Sequence, residues 1–490
     1  MAGFDKTTLY RSAFFAVAMQ WSVRAIGLIS VMALARLLHP SDFGIMAVAL
    51  TAAAFIELFG WIGLRQALVR IKTPDRAHYD TAFTIQLGLF LALMLVLIAI
   101  APLAARFYGL PALTPILWAM SLRLFFLALV NIGIVDFERD MQFGRDMKMR
   151  LSVRLLSLVA SLAAAFTLRN YWALVVGLVA QSAFYTAASY AAHPYRPRLD
   201  LSRRAELLGV SLWMFLSSTS ELVQQQVERL ILGRFAATAT VGLYSVSKDL
   251  SSIFTQEIAT ALNRVTFVAV AQGEEDRSAQ IGTMVGAYAA IVAPLAAGLV
   301  ATALDAIPVL LGAKWLAAAP LLEIIAVYTG VQAVYLMIAS VLQASGFARR
   351  AAILNLSGAI FSVAAISAAA LHFGDARAIA FAALAVNATM LATGLFLLCR
   401  QSGARFVPLL ANLFRPAAAA AFMVLAIWEL VPDTGSPFLD LVLSVLLGAP
   451  VYAAALLLIW AVSGRPPSAE REAVTLLAGL RRRFSVQRSA

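Results

Sequence analysis

Uninterrupted apolar runs of 18 or more residues recur along the whole chain, and they constrain its fold more than any other feature. A helical run of that length crosses the roughly 30 Å hydrocarbon core of a lipid bilayer. Only 13% of the residues are charged, which is about half the share found in soluble domains. The short alternating segments of a transmembrane barrel are absent. The sequence therefore predicts an all-α polytopic membrane protein.

Charged breaks and breaks containing Pro or Gly divide the apolar sequence into fourteen predicted spans. These are 12–35, 43–64, 81–105, 112–135, 152–168, 171–192, 207–232, 240–263, 281–303, 316–343, 351–371, 376–399, 414–431 and 437–461. We expect residues 1–205 to form one six-helix bundle, 206–402 a second, and 403–462 two appended transmembrane helices. Residues 463–490 form a basic tail, either an amphipathic helix on the anionic inner leaflet or a solvated segment.

The basic residues lie mainly on one side of these spans. The chain has 38 Lys and Arg residues, and the odd-numbered loops hold only Arg36, Arg106, Arg169, Arg234, Lys314 and Arg377. Loops rich in Lys and Arg remain in the cytoplasm. The bias predicts cytoplasmic N- and C-termini. It also accounts for the net charge of +12 without a nucleic-acid partner.

Two stretches that lie 198 residues apart share a pattern. LARLLHPSDFGIMAVA (34–49) and LGRFAATATVGLYSVS (232–247) match at Arg36 with Arg234 and at Gly44 with Gly242. Because the offset spans six predicted helices, the two halves would share one orientation and be related by an axis along the membrane normal. The pattern favours two bundles facing each other across a central cavity that opens to each side in turn. Chance similarity between hydrophobic helices is the alternative.

The predicted seventh span carries a polar stripe. Glu221, Gln224, Gln225 and Glu228 recur at spacings of three and four residues, so they share one face of a helix. A polar face at membrane depth is tolerated where it contacts protein or lines a water-filled cavity. We therefore expect this face to line the central cavity.

Four basic side chains lie three or more residues from the ends of predicted spans. Arg24 and Arg123 lie near the middle of the first and fourth spans, and Lys248 lies about two turns into the eighth. A central Arg costs at least about 2.5–3.5 kcal/mol on insertion scales, so it needs a carboxylate partner or an aqueous cavity. For Arg123 the carboxylate of Glu57 is one such partner. For Lys248 the alternative to a hydrated face is a local pair with Asp249.

These positions predict an electropositive cavity. Its candidate substrate-binding residues are Arg24, Lys248, Arg123 and Arg229, with Gln20, Gln224 and Gln225 as polar lining. Arg229 lies near the end of its span, where its side chain can also reach the interface. Guanidinium and ammonium groups in a partly desolvated site bind phosphate or carboxylate, so we expect an anionic substrate group. Candidates for Na⁺ or proton coupling, or for neutralising these cations, are Glu221, Glu228, Asp249 and Glu257.

Enzymatic motifs are missing from the sequence. It has no P-loop, no H-E-x-x-H motif and no Gly-rich dinucleotide turn, and its single cysteine, Cys399, excludes a cysteine-based metal site. We predict a transporter without a metal site or organic cofactor, not an enzyme. One alternative is a multidrug or small-molecule cation antiporter, which would need an acidic cavity. The other is a membrane-embedded glycan polymerase or ligase, which would need a large external loop with carboxylates.

Four stretches resemble the polysaccharide transporter family, in particular the Wzx-type oligosaccharide flippases with fourteen spans that export exopolysaccharides. They are LARLLHPSDFG (34–44), VDFERDMQFGRDMKM (135–149), ERLILGRF…VGLYSVSKDL (228–250) and LLGAKWLAAAPLL (310–322). The resemblance implies a two-bundle fold, shared with multidrug exporters and the peptidoglycan lipid flippase, in the bacterial inner membrane. Where the family often has Asp followed by a polar residue, this chain has Glu228 and Arg229.

The same resemblance implies a substrate and its partners. The substrate would be an isoprenoid-diphosphate-linked oligosaccharide, moved from the cytoplasmic to the periplasmic leaflet for surface polysaccharide biosynthesis. Membrane lipids, a polysaccharide polymerase and assembly proteins would be its partners. The diphosphate would meet the cationic cavity predicted above, at Arg24, Lys248 and Arg123.

Overall fold

The computed structural model describes residues 22–23, 25–60, 64–71, 73–140, 142–207, 212–272, 277–402, 406–466 and 470–471. Within these ranges every regular element is a helix. We number the main helices α1 to α14 and give shorter ones by residue range. The main helices are α1 Ala25–Leu37, α2 Pro40–Glu57, α3 Arg76–Tyr108, α4 Leu113–Ala128, α5 Phe143–Leu168, α6 Trp172–Ala192, α7 Leu212–Phe235, α8 Thr238–Gln272, α9 Arg277–Ala301, α10 Ala319–Ala344, α11 Ala348–Phe373, α12 Ala376–Ser402, α13 Phe406–Leu430 and α14 Pro437–Val462.

These helices follow the predicted spans one for one. Ten stretches of the described chain are long and apolar enough to cross a membrane, and α4 with the bent segment after it makes an eleventh. The other three are α1, which is described from Ala25, and α7 and α8, which have 24 and 35 residues and carry the polar side chains discussed below. The predicted all-α polytopic membrane fold is confirmed.

Several helices extend beyond their apolar segments. α5 begins at Phe143 instead of residue 152, α13 begins at Phe406 instead of residue 414, and α8 continues to Gln272 instead of residue 263. In the added turns of α5, Arg150 Nε donates to Asp146 Oδ1 at 2.8 Å across one turn. Such pairs at a spacing of four residues stabilise a charged helix without apolar burial, so hydropathy alone places these starts too late.

The fourth predicted span is not one straight helix. α4 ends at Ala128, and the helical segment Ile132–Arg139 follows at an angle of 72°. Asn131 holds the break: its Oδ1 accepts from the backbone N–H of Gly133 at 2.9 Å, and its Nδ2 donates to the carbonyl oxygens of His193 and Tyr195 at 3.2 and 2.9 Å. The prediction of an uninterrupted span over 112–135 is therefore wrong. An asparagine replaces the helical hydrogen bonds that are lost there.

Residues 193–207, which we call the connector, lie along the first turns of α3. Tyr195 OH donates to Asp80 Oδ1 at 2.6 Å. The buried His78 ring bridges two carboxylates, with Nε2 3.0 Å from Glu206 Oε2 and Nδ1 2.5 Å from Asp75 Oδ1. Hydrogen bonds from His78 hold the pKa values of Glu206 and Asp75 below their usual range, with help from Arg203. The connector is thus fastened to α3 at several points.

The described chain divides into two compact units, Met1–Ser245 and Val246–Ala490. In the first unit, α3 packs along α4 and α5 along α6, and α7 packs against α2. In the second, α9 packs against α10 and α13, and α12 packs against α10 and α11. The division falls within α8, whose start contacts α2 while its later turns contact α10. The bundle boundaries at residues 205 and 402 remain predictions.

Candidate functional site

The first turns of α2 and α8 cross with backbone packed against backbone, inside the first unit. A Cβ atom added to Gly44 would lie 1.7 Å from the carbonyl oxygen of Thr238, and one added to Gly242 would lie 1.8 Å from that of Pro40. Small residues allow helices to approach this closely. Gly44 with Gly242, and Pro40 with Thr238, are each 198 residues apart.

This contact is reciprocal. Gly44 lies against the carbonyl group of Thr238, and Gly242 lies against the carbonyl group of Pro40, which is the residue that corresponds to Thr238 in the other stretch. Such self-complementary contacts occur where a twofold axis relates two copies of one structure. The crossing therefore lies on a local pseudo-twofold axis between the first turns of α2 and α8. The contact gives the short sequence match at Gly44 and Gly242 a structural reason, because each position requires a residue without a Cβ.

The polar stripe of α7 divides between two environments. Glu221 and Gln225, one turn apart, are exposed, and Gln224 is half-buried. Gln226, which lies outside the predicted stripe, accepts a hydrogen bond at Oε1 from the Thr51 hydroxyl of α2 at 3.2 Å. Only the first part of the predicted face is therefore open in the structure.

The second part of the stripe is packed against α8. Glu228 is 2% exposed, and its Oε2 accepts a hydrogen bond from the hydroxyl of Tyr244 at 2.9 Å. Arg229 Nη2 donates to the carbonyl oxygen of Ser245 at 3.4 Å. Glu228 and Arg229, which depart from the family pattern, are thus hydrogen bonded to the start of α8. No signal in the sequence indicated Tyr244 as the partner of Glu228.

Arg123 of α4 meets the carboxylate that the sequence offered as one partner. Its Nη1 forms an ion pair and hydrogen bond with Glu57 Oε1 at the end of α2. The two side chains are 27% and 16% exposed, respectively. The pair offsets the cost of placing an Arg within a membrane helix. A substrate-binding role for Arg123 stays a prediction.

Lys248 lies in the second unit and is packed on protein instead of facing water. It is 6% exposed, and its Nζ lies 6.0 Å from the centre of the Tyr328 ring of α10. Three residues on, the Ser251 hydroxyl lies 2.6 Å from that of Thr329. Asp249 is exposed. The sequence favoured a hydrated face around Lys248. In the structure this face of α8 packs against Tyr328 and Thr329 of α10, and we call this line of polar contacts the seam.

The seam continues for between one and two further turns of α8, as far as Gln256. Gln256 Nε2 donates to Gln332 Oε1 at 2.5 Å, and Thr255 is fully buried. Among the ten described stretches that are long and apolar enough to cross a membrane, Ala313–Ala344, which contains α10, has the largest buried share, 72%. Sequence reasoning missed its polar positions, although Tyr328, Thr329 and Gln332 share one face at spacings of three and four residues.

Some predicted site residues cannot be placed. Gln20 and Arg24 lie outside the described residues, and Glu257 falls in α8 at a position where only the backbone is described. Their roles remain predictions. Among the described residues, no group of three or more His, Cys, Asp or Glu side chains is arranged to hold a metal ion.

Comparison with known sequences identifies relatives that are transport proteins. Residues 33–320 match the family model described as "Polysaccharide biosynthesis protein". The chain is 27% identical over 335 residues to the succinoglycan biosynthesis transport protein ExoT of Rhizobium meliloti (strain 1021), covering 66% of this chain and 67% of that protein. It is 20% identical over 313 residues to the lipopolysaccharide biosynthesis protein WzxC of Escherichia coli (strain K12), covering 62% and 63%.

Comparison with solved structures confirms the fold. The lipid II flippase MurJ in its inward closed conformation superposes with a TM-score of 0.75 at 13% identity, covering 92% of this chain and 100% of that chain. A multidrug resistance transporter of the MATE family in its inward-facing conformation gives a TM-score of 0.54 at 16% identity, covering 82% and 97%. The relatives are transporters and not enzymes, as predicted. Because the matching family model spans more than half of its residues, the chain belongs to the polysaccharide biosynthesis protein family and shares the fold of MurJ and the MATE transporters.

Proposed function

We propose that this protein is a flippase that moves an isoprenoid-diphosphate-linked oligosaccharide from the cytoplasmic to the periplasmic leaflet of the bacterial inner membrane. Membership of the family supports transport for polysaccharide biosynthesis. The observation that carries the choice of an anionic lipid-linked substrate is the buried ammonium group of Lys248 within a polar seam. The proposed topology has cytoplasmic N- and C-termini.

Lys248 suits a diphosphate because its charge is largely removed from water. A cation in such a place is costly unless an anion or dipoles offset it, and a diphosphate offers several charged oxygens. The face of the Tyr328 ring, 6.0 Å from the ammonium nitrogen, holds the ammonium group within the helix packing. In this proposal Lys248 binds the diphosphate, and the binding roles of Arg24 and Arg123 stay predictions.

The sugars would contact the open part of α7. The exposed Glu221 and Gln225 offer a carboxylate and an amide one turn apart, and both groups form hydrogen bonds with sugar hydroxyls. The lipid chain would remain in the bilayer, where its burial costs nothing further. Transport would proceed by alternating access, which the reciprocal contact of Gly44 and Gly242 supports because it relates equivalent helix starts of two repeats.

The coupling ion is a separate part of the proposal. Glu221, Glu228, Asp249 and Glu257 are the candidates for Na⁺ or proton binding. The buried Glu228 is the most enclosed of those whose side chains are described, and its bond from Tyr244 fixes one carboxylate oxygen. Neutralising each acid in turn and measuring gradient dependence of transport in proteoliposomes tests the assignment. Retention of gradient dependence in all four variants would rule it out.

The decisive experiment for the substrate is binding of an isoprenoid diphosphate by the purified protein and by Lys248→Gln, together with complementation of a flippase-deficient strain. We expect Lys248→Gln to weaken binding by at least about tenfold, because one charge-assisted contact to phosphate contributes about 1.5–3 kcal/mol. Lys314→Gln, which changes an exposed lysine, is the matched control. Equal binding by all three proteins would refute the role of Lys248.

A further inference from the structure

A basic residue lies well inside the thirteenth membrane helix. Arg415 is nine residues beyond the start of α13 at Phe406, or about 13 Å along the helix axis, and it is 4% exposed. Its Nε donates to the carbonyl oxygen of Ala411 at 3.3 Å, and its Nη2 donates to Asn412 Oδ1. Both acceptors are neutral. A guanidinium group buried this far needs a negative charge nearby.

That charge comes from the C-terminal segment. Glu470 is 5% exposed, and its Oε1 lies 3.6 Å from Arg415 Nη1. The chain turns back after α14 through Gly464 and Arg465, which both have positive φ angles, and the N–H of Arg465 donates to the carbonyl oxygen of Trp460 at 3.1 Å. This closing bond spans five residues, as in a Schellman turn. Beyond this turn, Glu470 lies against Arg415 of α13.

The ion pair between Arg415 and Glu470 is incomplete. The two atoms that face each other are too far apart to hydrogen bond, and both Arg415 Nη1 and Glu470 Oε2 are buried without a hydrogen-bond partner. A buried pair repays its desolvation only when its geometry is good and its remaining polar atoms are satisfied. Glu470 is therefore a poor occupant of this place, and an anion with more oxygens would satisfy Arg415 better.

The arginine side of the pair is held in position by α9. Asn412 Nδ2 donates to the carbonyl oxygen of Gly282 at 2.8 Å, so its Oδ1 is aimed at Arg415. Gly286, one turn further along α9, also lies against Asn412, since a Cβ there would be 3.4 Å from the asparagine side chain. Arg415 is thus oriented by α13 and α9 independently of Glu470. A preorganised guanidinium with one unused N–H direction is suited to phosphate.

We infer that Arg415 and Asn412 form an anion site in which Glu470 is a tethered occupant, and that the phosphate group of an anionic membrane lipid replaces it and releases Glu470 from α13. Charge favours the exchange. The sequence after Glu470 contains Arg471, Arg481, Arg482, Arg483 and Arg488, and basic segments are attracted to anionic lipid surfaces. Lipid phosphate would then enter the site as Glu470 leaves it. The inference does not depend on the identity of the transported substrate.

The test uses the full-length protein in detergent and short-chain phosphatidylglycerol as the probe. The proteins are wild type, Glu470→Gln and Arg415→Gln, with Glu429→Gln as the control because Glu429 is an exposed acid on the same helix. If Glu470 occupies the site nine-tenths of the time, its neutralisation raises the apparent lipid affinity by about tenfold. Arg415→Gln should lose this binding, and Glu429→Gln should behave as wild type.

Tryptic cleavage after Arg471 reports the release of Glu470 from α13. It can be measured on the wild-type protein, so it does not depend on a variant being stable. Phosphatidylglycerol should accelerate this cleavage in wild type and leave the rate unchanged in the neutral pair Arg415→Gln/Glu470→Gln. If inorganic phosphate also accelerates it, the site recognises the phosphate group alone; if only the lipid does, the site requires the lipid and its phosphate together. Equal lipid affinity in wild type, Glu470→Gln and Arg415→Gln, or binding without faster cleavage, overturns the inference.

Discussion

Replacing Gly44 with alanine tests whether transport opens and closes the crossing of α2 and α8. The added Cβ would lie 1.7 Å from the carbonyl oxygen of Thr238. Close carbon–oxygen contacts across helices have separations of about 3.3–3.6 Å, so the two helix starts would have to move apart by roughly 1.6 Å. The obstacle is backbone on a regular helix, so a rotamer change cannot relieve it.

The cost of this displacement can be bounded. Overpacking of a close-packed contact costs about 1–3 kcal/mol. If the crossing is present in only one of two transport states, the whole cost falls on that state and shifts the population towards the other by about 5–150-fold. Gly242→Ala should have the same effect because its contact with Pro40 is equivalent. The double variant should add little, because one separation relieves both clashes.

The assay is labelling of a reporter cysteine from the periplasmic side of whole cells. The single native Cys399 is replaced by serine, and Gln225→Cys, at an exposed position on α7, serves as the reporter for a membrane-impermeant maleimide. We expect labelling of the Gly44→Ala protein to rise at least about fivefold as the open population grows. Gly88→Ala is the matched control, since a Cβ there would meet nothing within 4 Å.

Two results would refute this reasoning. One is labelling and transport in Gly44→Ala that match those of Gly88→Ala at equal membrane levels. The other is additive damage in the double variant, which would show that the two contacts are independent and do not belong to a single crossing.

Three further predictions concern contacts within one unit. Arg123→Gln and Glu57→Gln should each lower the thermal stability of the purified protein more than the double variant does, because each single change leaves a charge within the membrane helices; equal effects would contradict the pair. Tyr244→Phe should cost about 1–3 kcal/mol by removing the donor to the buried Glu228, measured as a loss of unfolding free energy. The pKa values of Glu206 and Asp75 are lowered, so these carboxylates stabilise the connector at pH values above their usual pKa values of 4.5 and 3.8. This contribution is lost as the pH falls through the lowered pKa values. Hydrogen exchange of residues 193–207 should therefore accelerate at low pH, and less steeply in Glu206→Gln.

The sequence predicts the order of the helices because most spans carry their own signal in hydropathy. The same holds for Arg123, whose central position requires a partner and whose candidate, Glu57, is the acid at the end of a neighbouring span. The burial of Lys248 is different. Its environment depends on Tyr328 and Thr329, about 80 residues away, and single polar residues in an apolar helix do not reveal which neighbour they contact.

The site at Arg415 shows a second limit. Hydropathy places this residue at the edge of the thirteenth span, one residue after its predicted start at 414. The structure buries it on a helix that begins at Phe406. Its partner Glu470 follows a chain reversal at Gly464 and Arg465. No local spacing could indicate that a residue of the basic tail turns back to the membrane helices.

The reciprocal glycine contact also constrains how this chain can change over evolutionary time. If the two repeats arose by duplication of one ancestral segment, Gly44 and Gly242 descend from the same residue of that segment, and the two copies of that residue packed against each other. Elsewhere a larger side chain in one copy can be accommodated by a smaller one in the other. Here each glycine faces a carbonyl oxygen, which every residue type possesses, so no substitution opposite can make room. At this point each repeat therefore restricts which residue the other can carry.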